Sequence, residues 1–72
     1  MPEKFEIPFI NSCIRAFAKR SKMAVPLAFQ YLDAYHGISF LIDHYTTLHL
    51  QSIDDTVDDL IAYCKRNGGT LA

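Results

Sequence analysis

The sequence predicts an all-α protein, a compact bundle of about four short helices within one domain. Apolar residues recur every three or four positions along most of the 72-residue chain, which is the spacing of a helix that buries one face. Pro8 and Pro26 each precede such a stripe, and proline is favoured in the first turn of a helix. No stretch alternates apolar and polar residues between Asn-Gly or Asp-Gly turns, so the pattern predicts no β-hairpin.

The first predicted helix runs from about Ile7 to about Arg20. Pro8 lies at its start, where the missing N–H group costs no hydrogen bond. The basic residues near its end suit the negative end of the helix dipole. Its predicted buried stripe is Ile10, Cys13, Ile14 and Phe17.

The second predicted helix is short, from about Ala24 to about His36. Pro26 lies in its first turn, and Gly37 supplies its stop. Its predicted apolar side is Val25, Ala28, Phe29 and Leu32.

A third helix is predicted to begin at Ser39, whose side chain can cap the first turn. The β-branched residues Thr46 and Thr47 weaken this helix by a few tenths of a kcal/mol each, so packing must hold it. Its predicted inner stripe is Phe40, Leu41, Tyr45 and Leu48.

The fourth predicted helix is the most completely specified one. Ser52, with Asp55 three residues later, resembles a capping box, and Asn67-Gly68-Gly69 is a stop signal. Its stripe completes a predicted core for the whole chain. That core is Ile10, Cys13, Ile14, Phe17, Phe29, Leu32, Phe40, Leu41, Tyr45, Leu48, Val57, Leu60, Ile61 and Cys64.

Composition narrows the classes of function. The net charge of −1 removes the overall attraction that a nucleic-acid binder needs. No apolar run is long enough to predict a membrane span. With no secretory segment ahead of them, Cys13 and Cys64 are predicted to be reduced thiols in a cytoplasmic protein. A chain this short has a stability margin of only a few kcal/mol, which a homodimer would raise.

The sequence contains no pattern that indicates catalysis, a metal site or a cofactor site. The spacing of His36, His44 and His49 places no two imidazoles on one helical face. Cys13 and Cys64 lie on apolar stripes, where thiols behave as small hydrophobic groups. The protein is therefore predicted not to be an enzyme and to hold no metal or cofactor.

Two charged surfaces remain as candidate sites. The acidic one is predicted on the solvent face of the fourth helix, where carboxylates offset the helix dipole and could also dock on a basic partner. It consists of Asp54, Asp55, Asp58 and Asp59. The basic one could bind nucleic acid at low salt, although so few charges leave the affinity weak at physiological ionic strength. It consists of Arg15, Lys19, Arg20 and Lys22.

The order of several residues resembles a known family. These are Phe9, Cys13-Ile14, Phe17-Ala18, Ala28-Phe29, Tyr31-Leu32, Gly37-Ile38, Phe40-Leu41, His44-Tyr45, His49, Ser52-Ile53-Asp54-Asp55, Val57, Asp59-Leu60 and Asn67-Gly68-Gly69. The pattern resembles the DUF3791 family of short proteins of unknown function. The resemblance implies a small all-helical bacterial protein, often encoded beside a predicted ADP-ribosyltransferase-like protein. That arrangement suggests a toxin and antitoxin pair, and it carries over no catalytic residues.

Together these features predict a non-enzymatic protein-interaction module. Its partner could be the adjacently encoded ADP-ribosyltransferase-like enzyme, with an antitoxin-like or regulatory role for this chain. The surfaces expected to meet a protein partner are the acidic face and the exposed side of the third helix near His44 and His49. The alternative is a small nucleic-acid-binding regulator that uses the basic end of the first helix, as a dimer that doubles the basic surface.

Overall fold

Five helices account for most of residues 6–69, the part of the chain that the computed structural model describes. No strand occurs in this range, so the all-α prediction is confirmed. The third predicted helix is replaced by two helices. The elements are α1 (Glu6–Ser21), α2 (Val25–Ala34), α3 (Gly37–Asp43), α4 (Tyr45–Leu48) and α5 (Ile53–Arg66).

The first helix organises the bundle. α1 packs against α2, α3 and α5, and α5 also packs against α3, so the core lies where these helices meet. The short α4 follows α3 and leads the chain into α5. The buried apolar side chains are Ile10, Cys13, Ile14, Phe17, Ala18, Ala28, Leu32, Leu41, Leu48, Val57, Leu60 and Cys64.

Most of the predicted core is confirmed, with one clear error. Phe40, Tyr45 and Ile61 are only partly buried. Phe29 is wrong, because its side chain is 47% exposed and lies beside α1 at the protein surface. The confirmed members are Ile10, Cys13, Ile14, Phe17, Leu32, Leu41, Leu48, Val57, Leu60 and Cys64.

The core prediction also missed Thr56, which is fully buried. Its hydroxyl donates to the carbonyl of Leu48 at 3.4 Å and accepts from the side-chain amide of Gln51 at 3.3 Å. A buried hydroxyl with both roles filled costs little free energy, which explains how a polar residue fits this position.

The third predicted helix is wrong at its start and in its middle. Ser39 is not the N-cap, because α3 already begins at Gly37 after His36 adopts a left-handed conformation with φ 66°. At His44 the backbone leaves the helical region (φ −111°, ψ 16°), which separates α3 from α4. The carbonyl of His44 then accepts from the N–H of Leu48 at 2.9 Å and starts the next turn.

Gly37 has a different role from the predicted helix stop. A Cβ atom at this position would lie 2.9 Å from Cδ2 of Leu32 and 3.1 Å from both Sγ of Cys64 and Cδ1 of Leu60. A side chain at position 37 would therefore have to displace buried side chains of α2 and α5, which glycine avoids.

The ends of α5 follow the predicted signals. The hydroxyl oxygen of Ser52 accepts from the N–H of Asp55 at 3.1 Å, which confirms the cap. At the other end Gly68 takes φ 100°, and the N–H of Gly69 donates to the carbonyl of Cys64 at 2.9 Å. This is the geometry of a Schellman motif.

Candidate functional site

An open groove lies between α1 and α2. Its volume is about 560 Å³. Both helices contribute apolar side chains to it and polar side chains to its rim. The lining residues are Asn11, Ile14, Arg15, Val25, Pro26, Phe29 and Gln30.

Apolar surface is exposed inside this groove. Ile14 forms the floor and is only 5% exposed, whereas Val25 is 45% and Phe29 47% exposed. Pro26 belongs to the first turn of α2, as predicted. The groove therefore offers a hydrophobic surface that the packing of residues 6–69 leaves uncovered.

Arg15 provides a positive charge at the groove rim. It is exposed and forms no ion pair with any residue in the range 6–69. Lys19 lies one turn further along the same side of α1 and is also exposed. Arg15 therefore gives the groove rim on α1 an exposed positive charge, and Lys19 adds a second charge one turn away.

The predicted basic patch is divided between two sides of α1. Arg20 lies about 140° around the helix from Arg15 and faces α5 instead of the groove. Its guanidinium forms an ion pair with Asp58 and lies 3.7 Å from a carboxylate oxygen of Asp54. It also donates to the main-chain carbonyl of Asp54 at 3.2 Å. Arg20 thus lies on a different side of α1 from Arg15, in contact with α5.

The acidic candidate surface is exposed, as predicted, but part of its charge is already engaged. Asp54 and Asp58 face Arg20, and a carboxylate oxygen of Asp59 accepts from the side-chain amide of Gln51 at 2.8 Å. Asp55 uses its backbone N–H in the helix cap. Within residues 6–69, no three His, Cys, Asp or Glu side chains are grouped closely enough to hold a metal ion.

The histidines of the other candidate surface pack on aromatic rings. The ring of His49 stacks on Tyr45, with centroids 4.7 Å apart and planes 10° apart, and its Nδ1 lies 2.9 Å from the carbonyl of Tyr45. The ring of His44 lies 5.0 Å from that of Phe40. Both histidines are exposed, so they can still meet a partner.

Neither cysteine is suited to act as a nucleophile. Both are free and fully buried. Burial raises the pKa of Cys13 to about 11 and raises the pKa of Cys64 as well. Because only the thiolate is strongly nucleophilic, these thiols are poorly reactive at neutral pH.

A family model described as Protein of unknown function (DUF3791) matches residues 8–67. The chain belongs to this family. The matched range of this DUF3791 chain includes the whole groove and both charged surfaces. Comparison with curated proteins and with solved structures finds no match. None of the helices described for this DUF3791 chain is long and apolar enough to cross a membrane.

The sequence carried a signal for the groove that the prediction missed. Residues 25–29 of the DUF3791 chain read Val-Pro-Leu-Ala-Phe. Five consecutive apolar residues extend all the way around a helix, so they cannot all face one core. Ala28 takes the buried position, while Leu27 (57%) and Phe29 remain exposed. Which of them would line a groove depended on the position of α1.

Proposed function

We propose that this DUF3791 protein is a non-enzymatic protein-interaction module that docks on a partner protein through the groove between α1 and α2. The exposure of Phe29 and Val25 over the buried Ile14 is the observation that supports it. Contiguous exposed apolar surface with a polar rim is typical of binding sites. Leaving a phenylalanine half exposed forfeits burial energy on the order of 1 kcal/mol, which binding of a partner would recover.

The remaining candidate groups also favour binding over chemistry. Burial raises the pKa of both thiols above the ordinary value, so neither is activated as a thiolate. His44 and His49 rest on aromatic rings at the surface. Free cysteines fit a reducing compartment, so we place this role in the cytoplasm.

We further propose an identity for the protein partner. The family resemblance implies an adjacently encoded ADP-ribosyltransferase-like enzyme, for which this chain would be the antitoxin-like or regulatory partner. The groove is the surface proposed to hold that enzyme. The acidic face of α5 is the second surface to test, since its carboxylates are exposed.

Affinity purification of the tagged protein from its own host tests the proposal. Nucleic acid is quantified in the same eluate, and each co-purified protein is then produced alone and titrated against the chain. We expect one protein to co-purify in stoichiometric amount with the natural chain and not with the Phe29→Gln variant. Leu27→Gln is the matched control, because Leu27 is also exposed and lies about 160° around α2 from Phe29.

Other outcomes would overturn the proposal in distinguishable ways. A partner lost only when Asp54, Asp55, Asp58 and Asp59 are changed to Asn would move the binding surface to α5. Recovery of nucleic acid without protein, with an affinity that falls steeply as salt rises, would instead establish the nucleic-acid-binding alternative.

A further inference from the structure

We infer that the groove between α1 and α2 binds an acidic amphipathic helix, one that inserts apolar side chains into the groove and presents carboxylates to Arg15 and Lys19. This inference rests on the proposed function and specifies the chemistry of the partner. The shape of the groove and the positive charge at its rim support it.

The shape of the groove favours a helix over a small molecule. Small-molecule sites typically cover 70–90% or more of their ligand. Here two helices form the walls, and Val25 and Phe29 remain 45% and 47% exposed. A partner helix laid along such an open groove buries its apolar face against both walls and keeps its polar face in water.

The charges beside the groove favour an acidic partner. Arg15 and Lys19 lie one turn apart on α1, and Lys22 follows directly after the helix ends. All three are exposed, and none forms an ion pair within residues 6–69. On α2, Asp33 lies one turn beyond Phe29 and is the single acidic residue on that stripe. Arg15 lines the groove, and Lys19 and Lys22 add positive charge towards the end of α1, in a chain whose net charge is −1.

Arg15 is the residue best placed to select a carboxylate. It lines the groove beside the apolar floor formed by Ile14. A guanidinium presents a planar pair of donors that matches the two oxygens of a carboxylate. A partner glutamate one turn from an apolar anchor would therefore meet Arg15 when the anchor sits on Ile14.

A second copy of the chain fits this surface less well. In a symmetric dimer each groove faces the same groove, so Arg15 would come near its own copy, and Asp33 is the single acidic residue within α2. Contact of the groove with the acidic α5 face of another copy would be head-to-tail, which gives rings or open chains. It would also compete with Arg20, which Asp54 and Asp58 of that face already contact. Charge complementarity therefore points to a different protein.

Titration of the isotope-labelled full chain with designed peptides, followed by NMR amide shifts, tests this inference. The probe is a helical peptide of about 15 residues with leucines on one face and glutamates on the other. A second peptide carries lysine in place of every glutamate. We expect the acidic peptide to shift amides of residues 11–15 and 25–30 and to bind at least about tenfold more tightly than the basic one.

Variants of the chain separate the apolar contribution to the affinity for the acidic peptide from the electrostatic contribution. Phe29→Gln should weaken the acidic peptide about tenfold, while Leu27→Gln should leave its affinity unchanged. Arg15→Gln should weaken it several-fold and reduce the dependence of the affinity on salt. Arg20→Gln is the charge-matched control, because that guanidinium faces Asp58.

Three results would overturn the inference. Equal affinity for the acidic and basic peptides at the groove would remove the charge preference and still leave the proposed interaction module in place. Absence of groove shifts with either peptide, or self-association of the chain that shifts the same amides, would rule out an acidic helix as the occupant. The proposed function is tested separately by affinity purification. It is wrong if the Phe29→Gln variant still co-purifies with the natural partner.

Discussion

Two regions beside α1 each contain a phenylalanine and an arginine. The regions differ in the burial of the phenylalanine and in the ion pairing of the arginine. In the region that faces the core and α5, Phe17 is fully buried and Arg20 is paired with Asp58. In the groove region, Phe29 is half exposed and Arg15 forms no ion pair within residues 6–69. The first region is closed by contacts within the chain and is here named the closed region. The second region, the groove, is open to solvent.

The difference teaches how a small domain can divide its residues between folding and binding. A chain of this size has little surplus stability, so most large apolar side chains must be buried. Those of the closed region contribute that stability, whereas those of the groove contribute little and remain available to a partner. The two regions should therefore respond differently to the same substitution.

The largest expected contrast is between two phenylalanine truncations. Phe17→Ala should lower the free energy of unfolding by about 3–5 kcal/mol, because Phe17 is fully buried. Phe29→Ala should change it by less than about 1 kcal/mol, because that ring is already half in water. Urea denaturation followed by circular dichroism measures both. Equal losses would show that the groove is part of the core.

Adding one methyl group to the closed region should have the next largest effect. Gly37→Ala should destabilise the fold by about 1–3 kcal/mol, because the new Cβ would lie 2.9 Å from Leu32. Ser39→Ala, two residues later in α3, is the control. It should be neutral or slightly stabilising, because alanine is the better helix former at an exposed interior position. A loss of about 1 kcal/mol at Ser39 would instead mean that Ser39 caps the helix.

The buried thiols of the closed region predict a dependence on pH. The pKa of Cys13 is about 11 in the folded state, against 9.0 for the ordinary thiol, so the unfolded chain loses its thiol protons first. The free energy of unfolding should therefore fall as pH rises from 9 towards 11. Comparing urea midpoints of the natural protein and Cys13→Ala across this range isolates the contribution of Cys13. Parallel pH profiles would contradict the prediction.

The smallest expected effect is the change in the free energy of unfolding when Arg20 or Arg15 is substituted. Arg20→Gln should cost at most about 1 kcal/mol at low salt and less at high salt, because the pair with Asp58 is exposed. Arg15→Gln should leave stability unchanged. A double-mutant cycle of Arg20→Gln with Asp58→Asn should give a coupling of about 0.2–1 kcal/mol. A coupling of zero would mean that Arg20 is as free as Arg15.

The sequence by itself determined the features that depend on neighbouring residues. The apolar stripe of α1, the Ser52 cap and the Gly68 stop of α5 were all predicted, because each uses contacts between residues only a few positions apart. The charge and the exposure of both candidate surfaces could also be predicted, since charged side chains are mostly exposed in folded proteins.

Only the tertiary structure decided the features that depend on how distant helices meet. Arg20 reaches Asp58 across 38 positions, Gly37 lies close to Leu32 and Leu60, and Phe29 is half exposed in the groove between α1 and α2. Burial and pairing are properties of the assembled bundle, and an apolar side chain at helical spacing looks the same in the sequence whether a neighbour covers it or not. The groove, the feature most relevant to function, belongs to this second group.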